Sequence, residues 1–179
     1  MRAEVLEVHQ QSFLSEWKAD PCKIDSNDLD EGDGQSPPKR YQDDPEYRTL
    51  EEGDVDSGGK VEPKNRREAI AGVQAMEDGT VPQLYRPTPE QVAERGTMDF
   101  IDEAGNMWDI KSFTMDGALT DEMAAGQIQT WVNTCIKADY GIIVDLSYLP
   151  NARAQQLLDA LRQHPGYDPA KFAITRGQF

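Results

Sequence analysis

Histidine and cysteine are scarce in this chain of 179 residues, which has only two of each. Zinc clusters and histidine-metal nucleases need several histidines close together, and a chain whose histidines are His9 and His164 is therefore a poor candidate for either kind of site. Cys22 and Cys135 lie far apart in very different contexts, which favours two free thiols over a disulfide framework. No apolar run is long enough to span a bilayer, and the start of the chain lacks the pattern of a signal peptide.

Positive charge is also in short supply, with 18 Lys and Arg against 33 Asp and Glu and a net charge of -15. Nucleic-acid-binding proteins are usually basic, so this balance lowers the expectation of such a partner. It does not exclude an enzyme that contacts phosphates locally through a metal ion. The excess of negative charge is unevenly distributed along the chain. Residues 1–63 hold 17 acidic and 7 basic residues, whereas residues 64–179 hold 16 acidic and 11 basic residues.

The composition divides the chain into three parts. Residues 1–19 carry a weak helical pattern of apolar side chains, which predicts a short amphipathic helix. Residues 20–63 are turn-rich and charged and have too few apolar side chains to offset the entropy of ordering, so we predict an acidic disordered linker. Residues 64–179 have the composition of a globular domain.

Hydrophobic periodicity and turn residues predict the elements of that domain. They are a helix from Asn65, an edge strand at 81–85, a short helix after Thr88, a hairpin within 97–113, a helix at 121–137, a buried strand at 140–146, a helix at 152–163 capped by Asn151, and a strand at 171–175. The strand–helix–strand order predicts parallel strands joined by right-handed crossovers. The predicted class is α/β, with a mixed central sheet flanked by helices.

The hairpin carries the residues with chemistry: Asp99 in its first strand, and Asp109 and Lys111 in its second. Side chains two apart on a strand point to the same face, so Asp109 and Lys111 share one. Mg²⁺ prefers oxygen ligands and retains several waters, so two carboxylates suffice as protein ligands. The pattern therefore predicts two metal-binding carboxylates and an ammonium at one point of the sheet. The alternative is a surface ion pair on an edge strand.

The length of the turn decides whether Asp99 joins that point, because directly opposed residues share a face. A four-residue turn, 103–106, sets Asp99 opposite Ile110 and on the wrong face. A three-residue turn, 104–106, sets it opposite Lys111 and on the correct face, as a β-bulge would. A metal site therefore requires an odd turn or a bulge.

The segment MDFIDEAGNMWDIK, residues 98–111, resembles the core motif of the PD-(D/E)xK, or restriction-endonuclease-like, nuclease superfamily. There an Asp opens one strand and (D/E)xK follows on the next. The order EAIAGVQAMEDG, a proline-containing linker, DFIDEAGNMWDIKSF, a helix and IIVDLSYL is similar to the C-terminal nuclease domains of bacterial polymorphic toxins, over roughly residues 66–165. Met98 departs from the proline often found there, and no toxin-delivery repeats precede the domain.

The resemblance implies a restriction-endonuclease-like core and a Mg²⁺-dependent endonuclease, with Mn²⁺ as a substitute metal. Asp99, Asp109 and the backbone carbonyl of Ile110 would hold the metal. Lys111 would orient or deprotonate the attacking water or stabilise charge in the transition state.

Other acids and amides have two interpretations each. The resemblance implies a fourth active-site acid at Glu68, but capping of a helix that starts at Asn65 explains it equally well. It also implies a helix glutamine near the metal, for which we choose Gln129 with Gln127 as the alternative, although exposed helix glutamines are common. Asp145 is a buried acid in an apolar strand, and we predict that it holds a neighbouring loop or helix end.

The resemblance also implies the biological setting. The substrate would be nucleic acid, with DNA favoured over RNA, and the chain would be a bacterial toxin with a cognate immunity protein, acting in the cytoplasm of a target cell after export. The alternative is a catalytically silent member of the same fold that binds a partner through its acidic N-terminal segment. Asp102 is predicted to be a turn residue, and the basic cluster Lys64, Arg66 and Arg67 to be either phosphate-binding or solvated.

Overall fold

The computed structural model describes residues 39–52, 60–113 and 119–176. A 3₁₀ turn (Lys39–Tyr41) precedes the regular elements. These are α1 (Pro45–Glu51), α2 (Pro63–Glu77), β1 (Leu84–Tyr85), α3 (Pro89–Arg95), β2 (Phe100–Asp102), β3 (Met107–Ser112), α4 (Asp121–Ala138), β4 (Gly141–Asp145), α5 (Asn151–Gln163) and β5 (Phe172–Thr175). The amphipathic helix predicted for residues 1–19 lies outside the described residues, as do 20–38 and 53–59 of the predicted linker.

The strands form one mixed sheet in the order β1-β2-β3-β4-β5. β1 and β2 pair antiparallel, as do β2 and β3, while β3, β4 and β5 run parallel. The predicted α/β class and mixed sheet are therefore confirmed. Because β3 has a neighbour on each side, the edge-strand position in the alternative for Asp109 and Lys111 is wrong, although the two side chains do form the ion pair that it describes.

Helices cover both faces of the sheet. The two crossover helices α4 and α5 pack on one face, through the side chains Ile128, Trp131, Val132, Leu157, Leu158 and Leu161 against Ile142, Val144 and Phe172. Helix α2 packs on the other face, through Ile70 and Val73 against Phe100, Trp108 and Ile143. Every residue of β4 is buried, as its apolar run predicted. In the described ranges, no helix combines the length and apolar character needed to cross a membrane.

Residues 39–52 differ from the predicted disordered linker. Asp44 caps α1 by accepting hydrogen bonds from the backbone N–H groups of Glu46 and Tyr47. Tyr41, Tyr47 and Leu50 are each no more than 2 % exposed and pack in the same core cluster as α2. The ordered domain therefore includes residues on the N-terminal side of the predicted boundary at residue 64.

Two predicted helix starts are also corrected. Helix α2 begins at Pro63, and the Asn65 side chain accepts a hydrogen bond from the Glu62 backbone N–H at 2.8 Å. Helix α5 begins at Asn151 itself, after Pro150, with no side-chain cap. The other helix starts follow the sequence, because Thr88 and Thr120 cap α3 and α4 as expected.

Candidate active site

The register of the β2–β3 hairpin meets the condition set by the sequence. Phe100 lies opposite Trp108 and Ile101 opposite Met107, and the Asp102 backbone N–H donates to the Asn106 carbonyl at 3.0 Å, which leaves the three residues 103–105 as the connection. Continuing this register by one residue sets Asp99 opposite Asp109, on the same face. The connection has an odd number of residues, as a metal site requires, and the three-residue length that we considered, but it lies one residue earlier in the chain than 104–106.

Asp102 organises the connection, in agreement with its predicted role in a turn. Its carboxylate accepts hydrogen bonds from the backbone N–H groups of Ala104 and Asn106, the side-chain amide of Asn106, and the indole N–H of Trp108. Burial alone would raise the pKa of this carboxyl, but the donors of Asn106, Trp108 and Ala104 together lower it. Gly105 supplies the positive φ of 83° at the turn.

Trp108 fixes this register from the opposite face of the sheet. Its indole lies directly against Gly141, where an added Cβ would come within 2.3 Å of the ring. The indole N–H donates to Asp102 at 3.1 Å, so one side chain joins the turn to β4. Because Trp108 faces α2, its neighbours Asp109 and Met107 are turned to the other side.

Asp99 and Asp109 form a carboxyl pair. Asp99 Oδ2 accepts a hydrogen bond from the Ile110 backbone N–H at 2.6 Å, and the two carboxyl groups are hydrogen-bonded to each other. Burial of Asp99, its hydrogen bond to Asp109 and the negative charges of Glu68 and Asp109 raise the pKa of Asp99 from 3.8 to about 8. Near neutral pH Asp99 therefore holds a proton, which it donates to Asp109 in this hydrogen bond.

Lys111 joins the pair on the same face. Its ammonium contacts Asp109 Oδ2 at 2.5 Å, with the lysine side chain 32 % exposed and the aspartate side chain 16 % exposed. The structure thus brings together three of the predicted site residues, Asp99, Asp109 and Lys111, at a partly open point of the sheet.

Glu68 lies close to the pair but has its own partners. Its Oε1 contacts the Lys64 ammonium at 3.2 Å and its Oε2 contacts the Arg86 guanidinium at 3.0 Å, with the glutamate side chain 6 % exposed. Capping does not explain this residue, because α2 begins at Pro63 and Glu68 lies in its second turn. Its charge reaches Asp99, whose pKa it helps to raise.

Arg86 is the site residue that the sequence did not reveal. Its guanidinium donates to the Leu50 carbonyl at 2.7 Å, to Glu68 at 3.0 Å and to the Asp99 carbonyl at 3.2 Å, and lies 4.6 Å above the ring of Phe100. These partners are distributed over α1, α2 and the start of β2. A single arginine after a two-residue strand carries no local signal, so only its long-range contacts identify it.

The two helix glutamines have different surroundings. Gln129 is exposed, donates to Asn133 at 3.1 Å and contacts the His164 ring at 3.0 Å, near the end of α5. These contacts engage it with α4 and α5 and not with the carboxyl pair. Gln127 has a buried side-chain oxygen with no hydrogen-bond partner among the described residues, and its role near the metal stays a prediction.

Asp145 has the structural role predicted for it. It is 2 % exposed at the end of β4, and its carboxylate accepts hydrogen bonds from the Ser147 backbone N–H at 2.9 Å and the Ser112 hydroxyl at 3.4 Å. Burial raises the pKa of this carboxyl, against the effect of both serines and of the Arg67 charge. It holds the loop that leads to α5.

The oxygen atoms at Asp99, Asp109 and Ile110 suit a magnesium ion that has few protein ligands. Among the described residues, no group of three or more acidic, histidine or cysteine side chains is placed to hold a metal. The carboxyl pair is nevertheless an all-oxygen site, and once Asp99 has lost its proton a hard divalent cation would balance the negative charges of the two carboxylates. The Ile110 N–H points to Asp99, so its carbonyl is directed to the same side of β3 and is available as a third oxygen.

Comparisons with family models, with curated proteins and with solved structures found no match to this chain.

Proposed function

We propose that the protein is a metal-dependent nuclease that hydrolyses phosphodiester bonds of nucleic acid, with DNA favoured over RNA. One observation carries the proposal: the Asp99 carboxyl accepts the Ile110 backbone N–H at 2.6 Å, next to Asp109, whose carboxylate binds the Lys111 ammonium. The hairpin register supports it, because an even connection would have separated the two carboxyls. We further propose that the sheet and its helices form a restriction-endonuclease-like core.

The side chains divide the work as follows. Asp99 and Asp109, with the Ile110 carbonyl, would hold Mg²⁺, or Mn²⁺ in its place. Bound there, the ion would neutralise phosphate charge and lower the pKa of a water. The pair must release its shared proton before both carboxylates can act as ligands. Lys111 lies beside Asp109, where its ammonium can orient the attacking water or donate to a phosphate oxygen.

The test uses purified full-length protein with plasmid DNA and with total RNA, in Mg²⁺ and in EDTA. Asp109→Asn and Lys111→Met are expected to lower cleavage by roughly a hundredfold or more, because each removes a group that acts on the reacting atoms. The matched control is Asp43→Asn, which changes an acid that is fully exposed. The substrate that is degraded would identify DNA or RNA as the target. Cleavage that persists in EDTA or in Asp109→Asn would refute the proposal.

A second candidate is a catalytically silent protein that uses the same fold to bind a partner. The observation that favours it is ion pairing: Lys111 is paired with Asp109, and Glu68 with Lys64 and Arg86, so the charged groups of the site already have protein partners. This candidate predicts that folded wild-type protein cleaves neither substrate and that Asp109→Asn binds its partner as wild type does. The acidic N-terminal segment would be the interaction arm.

The biological setting remains part of the proposal. A nuclease of this kind would act as an antibacterial effector in the cytoplasm of a target cell, and its producer would need an immunity protein that covers the carboxyl pair. Co-purification of the product of the neighbouring gene tests this, and addition of that product should suppress cleavage. An effector role is refuted if expression of the wild type in the bacterial cytoplasm is as harmless as expression of Asp109→Asn.

A further inference from the structure

Arg86 lies beside the carboxyl pair and contacts the backbone of Asp99. Its side chain is 8 % exposed. It donates to three backbone carbonyls, those of Leu50 at 2.7 Å, Asn65 at 3.4 Å and Asp99 at 3.2 Å. It also forms an ion pair with Glu68 at 3.0 Å.

These contacts hold the strand that carries Asp99. The ladder between β2 and β3 starts at Phe100, which lies opposite Trp108, so the backbone at Asp99 lies outside that ladder. There the Asp99 carbonyl is bound by Arg86, and the ring of Phe100 lies 4.6 Å from the guanidinium. The side chain of Asp99 is then free to face β3, where it accepts the Ile110 N–H at 2.6 Å.

We propose that Arg86 is a positioning residue for Asp99: it fixes the backbone of Asp99 to α1 and α2 and thereby aims its carboxyl at Asp109 and Ile110. The planar guanidinium suits this task because it donates in several fixed directions at once, which a lysine ammonium on a flexible stem does not reproduce. Glu68 is the counter-charge that keeps the guanidinium in place. The meaning of this arrangement for metal binding rests on the proposed nuclease function.

The test is Arg86→Lys, which keeps the charge and removes the fork. Amide hydrogen exchange is measured in EDTA on the full-length protein, at the Ile110 N–H and at the Ile142 N–H, which donates to the Lys171 carbonyl at 2.7 Å between β4 and β5. A loss of global stability accelerates both amides alike, whereas a loss of Asp99 position accelerates Ile110 alone. We expect the ratio of the Ile110 rate to the Ile142 rate to rise roughly tenfold.

A second arm titrates the same proteins with Mn²⁺ by calorimetry. We expect Arg86→Lys to weaken Mn²⁺ binding by roughly tenfold, as is typical when a group that orients a metal ligand is changed. The matched control is Arg95→Lys, in which an exposed arginine that donates to the Gly105 carbonyl undergoes the same change. It should leave the exchange ratio and the Mn²⁺ affinity unchanged.

The outcomes separate the two proposals. An unchanged exchange ratio in folded Arg86→Lys overturns the positioning role, whatever the metal does. A raised ratio with no Mn²⁺ binding by wild type supports the positioning role and refutes the metal site. If Arg86→Lys does not fold, Glu68→Gln replaces it, because that change keeps the shape and removes the counter-charge; a raised ratio then supports the proposal, and an unchanged one overturns it.

Discussion

Replacing Asp99 by asparagine should stabilise the protein and inactivate it. Asparagine keeps the oxygen that accepts the Ile110 N–H and offers an N–H to Asp109 in place of the shared proton. It carries no charge to bury beside Asp109 and Glu68. The native site would then lose its electrostatic penalty together with one proposed metal ligand.

The magnitude follows from the two pKa values of Asp99, 3.8 as the ordinary value and about 8 in the folded protein. Between these values the folded state holds a proton that the unfolded state has released, so the free energy of unfolding falls by about 1.4 kcal/mol for each pH unit gained. This loss of stability is absent below the ordinary pKa, reaches about 4 kcal/mol at pH 7, and stays constant above about pH 8. Asp99→Asn removes it.

Urea unfolding in EDTA, followed by tryptophan fluorescence between about pH 5.5 and about pH 8, measures the effect. The lower limit keeps the protein above its isoelectric point of about 4.4. The difference between Asp99→Asn and wild type should grow with pH, whereas the exposed control Asp43→Asn should stay within about 0.5 kcal/mol. A stabilisation that is absent, or equal at every pH, would show that Asp99 is not a buried protonated acid.

Three further changes test the scaffold. Gly141→Ala should lower the free energy of unfolding by roughly 2–3 kcal/mol, because the added Cβ would overlap the Trp108 indole. Gly126→Ala, in open space on α4, should raise it by roughly 0.5–1 kcal/mol. Equal effects of the two changes in urea unfolding would contradict this packing. Asp102→Asn should lower the free energy of unfolding by roughly 1–3 kcal/mol at pH 7. This loss should disappear in acid, where the wild-type carboxyl is protonated in spite of its lowered pKa, and it is opposite in sign to the effect of Asp99→Asn. Deletion of residues 1–62 should lower the free energy of unfolding more than deletion of residues 1–38, by on the order of 5 kcal/mol, because only the longer deletion removes the three buried side chains of residues 39–52. Equal calorimetric melting temperatures of the two proteins would show that residues 39–52 do not stabilise the domain.

Local patterns predicted much of the fold. The apolar stripe of α4 and the continuous apolar run of β4 each reflect burial that one element experiences as a whole. The shared face of Asp109 and Lys111 follows from the period of a strand and needs no tertiary information.

The hairpin register could not be predicted in the same way. Its turn is shaped by the Asp102 carboxylate and by Trp108, whose position depends on Gly141 more than thirty residues later. Turn chemistry gave the place of the reversal, but the number of residues in it depends on that distant contact. The sequence therefore supplied the condition for a joint site without deciding it.

Residues 39–52 and Arg86 escaped notice for a related reason. Composition favoured disorder because the apolar side chains of that segment are few, yet Leu50 finds a close fit against Gly72 of α2, whose missing side chain leaves the space. Arg86 depends on the same fit, since the Leu50 carbonyl is one of its acceptors. Both are consequences of tertiary packing between segments that are distant in sequence.

The three-residue turn of the hairpin, residues 103–105, constrains how this chain can change in length. If one residue is inserted or deleted there and the turn keeps its three-residue geometry, β2 slides by one position and Asp99 turns to the face of Trp108, while the apolar residues of β2 move into its place. A change of two residues would keep every side chain on its own face. Functional relatives that keep this turn geometry should therefore differ here by even numbers of residues, and those with an odd difference should have a longer loop or a bulge that leaves the β2–β3 ladder in register.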